Sequence, residues 1–168
     1  MKKGMTSKEE ASLIWNIEDI DPEENACKIL DNPEEFFKPY LKNIAHPALL
    51  IIAKFSIYYI LIQIDGTREI GEKTSKYFME RCTIQEWLDK LRSFYSYCIE
   101  TIDFLTSKHD DAMLDLYNEG NIDKDMLQKA MITFQDAQKE FVKEKELMEG
   151  LTREIEKEKE RVRRNGLF

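Results

Sequence analysis

Six glycines, four prolines, three cysteines and two histidines are all that 168 residues hold of the types that build turns, disulfides and metal sites. A β-sandwich or barrel needs a turn signal roughly every 10 residues, so this supply of turn formers excludes one. Cys27, Cys82 and Cys98 are odd in number and lack CxxC spacing. That excludes a disulfide-stapled miniature and points to buried or idle thiols in a reducing compartment. His46 and His109 sit in no HExxH or ExxH pattern, so zinc and carboxylate-bridged sites lack their usual ligands. A glycine-rich phosphate loop and a GxSxG elbow are also missing. The sequence therefore assigns no catalytic residue, no metal ligand and no cofactor. Behind Lys2 and Lys3 there is no apolar stretch of signal-peptide length, so the expected location is the cytoplasm.

What the chain does have is apolar and charged residues in bulk, 42% and 35%. Its 33 acids against 25 bases give a net charge of -8, which opposes wholesale coating of nucleic acid. The length suits one domain burying roughly 70% of its unfolded surface, so disorder is not expected.

Helix punctuation recurs along the chain. Ser7-Lys8-Glu9-Glu10 and Thr83-Ile84-Gln85-Glu86 read as capping boxes. Asp21-Pro22-Glu23-Glu24 and Asn32-Pro33-Glu34-Glu35 each supply a cap, a proline for the first helical position and acids for the positive end of the dipole. The expected elements are a short first helix ending before Pro22, a stub around Ala26–Leu30 opened by the first of these signals, and a helix opened by the second that carries Phe36, Phe37, Tyr40, Leu41 and Ile44 and that Pro39 bends or divides. The run PALLIIAKFSIYYILIQI at 47–64 is the apolar centre. It reads as a buried helix, because the Asp65-Gly66 hairpin signal would pair it with TREIGEK, which has one large apolar residue. As a membrane span it is short of about 20 predominantly apolar residues and is interrupted by Lys54, Ser56 and Gln63, which makes insertion unfavourable. Helices at 67–82 and 84–106 follow, then a short one holding Met113, Leu114, Leu116 and Tyr117 and closed by Gly120. Asp123 caps a last helix running to Arg164. The expected fold is all-α, a bundle of six or seven helices. Residues 1–122 form its body, and 123–168 a long C-terminal helix packed on the bundle through its first half.

The strongest non-random signal is a seven-residue spine in that helix: Leu127, Phe134, Phe141, Met148, Ile155 and Val162. The companion seam runs apolar to Phe141 and turns polar at Glu144 and Lys145, and Gly150 is a candidate bend. Forty-one helical residues extend about 60 Å, twice a small domain's diameter, so the second half is expected to project and offer the spine to a partner. The leading expectation is a non-enzymatic adaptor or assembly subunit that self-associates or docks on a protein through these six residues. A second expectation uses the cationic end. Residues 152–168 hold six Lys/Arg against four Glu, and Arg161, Arg163 and Arg164 are candidates for phosphate contact in a nucleic-acid-processing complex. The interleaved glutamates weigh against it. A third is a helical enzyme or small-ligand bundle built on Tyr58, Tyr59, Trp87, Tyr95 and Tyr97, although aromatics at helical spacing are more often core.

Overall fold

The computed structural model describes residues 7–166; the side chains of Ser7, Lys8, Glu10 and Ala11 are not among them, so the first capping box lies outside the described residues. Seven helices and no strand make up the described chain: α1 Ser7–Glu18, α2 Pro22–Asp31, α3 Pro33–Leu41, α4 Pro47–Gly66, α5 Arg68–Met79, α6 Ile84–Asn118 and α7 Lys124–Arg164. The fold is the expected all-α bundle, with a central apolar helix and a long C-terminal one.

The punctuation accounts for where the helices begin. The Asp21 carboxylate accepts from the backbone N–H groups of Glu23 and Glu24, Asn32 accepts from Glu35, and Asp123 accepts from Met126. Thr83 and Glu86 form a full capping box, with both reciprocal bonds at 3.1 Å. α4 starts on a cap of a different kind. His46 Nδ1 accepts the Ala48 N–H at 3.2 Å, which leaves the ring proton on Nε2, 3.2 Å from the Glu119 carboxylate at the far end of α6. α3 is not divided at Pro39; the missing N–H falls in its last turn, and the helix ends at Leu41. Nor does Asp65-Gly66 make a hairpin. Thr67 alone is extended, and α5 begins at the next residue.

The largest departure from expectation is α6. In place of helices at 84–106 and 113–117 there is one helix of 35 residues. No proline or glycine stands between Leu105 and Gly120, and the buried stripe continues through Leu105, His109 and Ala112. Asp110 and Asp111, which as caps would open a separate helix at 111–119, lie in mid-helix on its exposed side. Gly120, at φ 78°, closes α6: the Asn121 N–H donates to the Leu116 carbonyl and the Gly120 N–H to that of Tyr117, the paired bonds of a Schellman motif.

The chain then reverses, and α7 runs back antiparallel along α6. Lys145–Asp103 at 2.7 Å, Arg92–Glu156 at 2.8 Å and Lys159–Asp89 at 2.5 Å hold one constant register. The expected overshoot of α7 does not occur, because α6 extends about 52 Å and matches most of it. Residues 143–164 pack on the N-terminal half of α6, and Ile155 and Val162 bury with Leu88 in a small cluster of their own. α4 lies antiparallel to α6, since Asp65 meets Tyr95 at one end and His46 meets Glu119 at the other. α1, α2, α3 and α5 close around α4 and the near half of α6. The core between them is led by Phe37, Ile57, Leu61, Phe94 and Leu105.

Candidate protein-binding surface

The spine is an internal seam. Phe134, Phe141, Met148, Ile155 and Val162 are buried, and Leu127 is partly buried near the turn. Phe134 stacks on His109 with ring centroids 3.7 Å apart, and Phe55 of α4 meets both Phe134 and Phe141 edge-on or tilted at 6.0 and 5.9 Å. The face that the seven-residue period offers is filled by α6 and α4 of the same chain. The polar break in the companion seam is explained by the same packing. Lys145 reaches across to Asp103, and Glu144 stands near Asp65 at the end of α4.

The cationic end is largely self-engaged. The Arg161 guanidinium is held by Glu158, and Arg163 lies 3.4 Å from Glu160; Arg164, on the last turn, is exposed. Along α7 the i,i+3 spacings Glu140–Lys143 and Glu154–Lys157 form ion pairs at 3.7 and 3.4 Å. Glu156 and Lys159 instead turn to partners on α6.

The tyrosine-rich centre does not converge on one point. Tyr97 stacks on Phe37, Trp87 stacks on Phe78, and the Tyr95 hydroxyl donates to Asp65 at 2.8 Å. Tyr58 is buried edge-on against Phe141. Burial, with the charges of Glu144 and Glu140 added, pushes its hydroxyl far above the usual tyrosine range and keeps it protonated. Burial likewise pushes the Cys98 thiol up, so this cysteine behaves as a small core residue; Cys27 and Cys82 are also unpaired. Among the described residues no group of three His, Cys, Asp or Glu side chains is placed to hold a metal ion.

The feature that sequence reasoning missed is the uncovered side of α4. This helix is apolar all round, a pattern that normally accompanies burial on every side. By length and composition it is long and apolar enough to cross a membrane, and 44% of its most apolar window is buried. Ile51, Ile57, Leu61 and Ile64 face the core, yet Ile52 is 43% exposed and Tyr59 60%. Between them Phe55 and Ser56 are half-buried, so positions 52, 55, 56, 59 and 63 make a stripe along one face. Beside it runs an open groove of about 570 Å³, walled by Glu18, Ile20 and Pro22 from the α1–α2 corner and by Ile52, Phe55 and Tyr59 from α4. Trp15, 64% exposed, stands one turn before Glu18 on α1. The corner is strongly acidic: residues 18–24 read EDIDPEE, with no base. The 47–64 run is apolar on every face of a helix, so nothing in it says which side α1, α2, α3, α5 and α6 leave open.

Comparison with protein-family models, with curated proteins and with solved structures returned no match, so the uncovered face of α4 is read on its own chemistry.

Proposed function

We propose that this protein is a non-enzymatic interaction module, an adaptor or complex subunit of the cytoplasm, that docks a protein partner on the uncovered face of α4. The observation that carries this reading is the exposure of Ile52 and Tyr59 on the most apolar helix of the chain, beside an open groove. Fully burying a bulky apolar side chain contributes about 1.5–3 kcal/mol, so covering the exposed parts of Ile52 and Tyr59 would contribute a part of that from each, as anchors within a larger interface. The heptad spine plays a different part here. It builds the rigid α6–α7 hairpin against which α4 is mounted, and the partner meets α4 rather than α7.

The test is a pair of substitutions, Ile52→Asp and Tyr59→Ser, made together. Both sites are exposed, so thermal unfolding should stay within a few degrees of the unmodified protein. Proteins that cross-link to the unmodified chain in cells should be lost from the variant, and any self-association seen by light scattering should be lost with them. An unchanged set of cross-linked proteins would remove α4 as the docking face.

A further inference from the structure

Resting on that reading of α4, we infer that the partner is a cationic amphipathic helix, with bulky apolar residues on one face and Lys or Arg along its edges. The stripe from Ile52 to Gln63 spans about 16 Å, the length of roughly three helical turns. A helix laid along it would present side chains at i, i+3 and i+7 to Ile52, Phe55 and Tyr59, the usual helix-in-groove arrangement.

The charge of the occupant follows from the rim. On one side stand Glu18 in the groove wall, then Asp19, Asp21, Glu23 and Glu24. Asp21 is occupied as the cap of α2, while Glu18, Asp19, Glu23 and Glu24 are exposed and have no cationic partner among the described residues. On the other side Tyr59 leans on Tyr58, with ring centroids 5.8 Å apart, so that edge of the stripe is aromatic. An apolar strip with an acidic bank along the α1–α2 corner selects against acidic peptides. It also selects against anionic lipid surfaces, which repel a chain of net charge -8. A second copy of this chain fits poorly as well, since two of the three arginines in its C-terminal cationic cluster, Arg161 and Arg163, are engaged by Glu158 and Glu160. Basic side chains on the partner would be steered to the groove and would fix its orientation.

The experiment uses two labelled helical peptides of about 18 residues with identical leucine faces, one carrying lysine at every other position and one carrying glutamate. Fluorescence anisotropy should show the lysine peptide binding the unmodified protein and the glutamate peptide not binding. Ile52→Asp should weaken the lysine peptide at least about tenfold. Glu18→Lys with Asp19→Lys should weaken it about fivefold, as should raising salt from about 50 to about 500 mM. Glu160→Lys, at the far end of α7, should leave it unchanged. Equal binding of both peptides would overturn the charge assignment and leave the docking face standing. Lysine-peptide binding that survives Ile52→Asp, or no binding at all, would also overturn the inference; the cross-linking result with Ile52→Asp/Tyr59→Ser then decides separately whether α4 docks anything. Sedimentation with phosphatidylcholine vesicles that is abolished by Ile52→Asp would assign the face to a membrane and overturn the inference outright.

Discussion

Glu144 is held by its surroundings against its own charge. Partial burial comes first, then the fields of Asp65 and Glu140, and together they raise its carboxyl above the ordinary 4.5. The raised folded-state value means that the ionised form costs stability. The cost is fully present above that value, shrinks as pH falls through it, and is gone below the unfolded value of 4.5. Replacing Glu144 by Gln should therefore raise the melting temperature at pH 7 by about 1–2 °C. The gain should fade as the medium is acidified and vanish below about pH 4.5. A loss at neutral pH would show that Glu144 has a cationic partner. The residue also shows why the second seam of α7 turns polar: the position faces the wet end of α4, where Asp65 already holds the Tyr95 hydroxyl.

Helix ends and helix interiors respond differently to the same change at glycine. Gly150 lies inside α7 with ordinary helical geometry, and a methyl group there would meet only an Arg153 guanidinium nitrogen at 3.8 Å. Gly150→Ala should stabilise the protein by up to about 1 kcal/mol in denaturant titration. Gly120 has φ 78° and closes the Schellman motif, so Gly120→Ala should destabilise it by about as much. These two glycines also mark how far the elements were legible. Caps at Asp21, Asn32, Thr83 and Asp123 are local chemistry, readable from four residues at a time, and they begin their helices where the sequence places them. Gly150 reads as a bend only by propensity, and packing on α6 overrides it. The break expected between Leu105 and Met113 rested on polar residues at 106–111, where the buried partner is His109, a side chain that reads as polar until Phe134 and Phe55 surround it. His46 as a cap was illegible for a related reason: its acceptor nitrogen is fixed by Glu119, 73 positions away. The exposed face of α4 was hidden because an all-apolar run carries no periodicity to say which side stays open.

At the scale of the whole molecule, α6 and α7 form one long antiparallel hairpin, and the six-residue spine is its seam. Phe141→Ala with Met148→Ala removes two buried side chains at its middle. At about 2–5 kcal/mol for each, the melting temperature should fall by roughly 10 °C or more. The solution mass by light scattering should not change, since the seam joins helices of one chain. A dimer that dissociates while the melting point holds would return the spine to an intermolecular role. The hairpin also sets an order in time. A nascent chain leaves the ribosome with its N-terminus first, so α6 emerges with its apolar stripe bare along the side that α7 will fill. Leu88 keeps no large apolar cover there until Ile155 and Val162 have been synthesised. Polypeptides stopped before α7 begins thus carry an unsheathed strip some ten turns long, and those stopped near residue 150 still leave about four turns bare, the kind of surface that holdase chaperones grip and degradation machinery reads as unfinished.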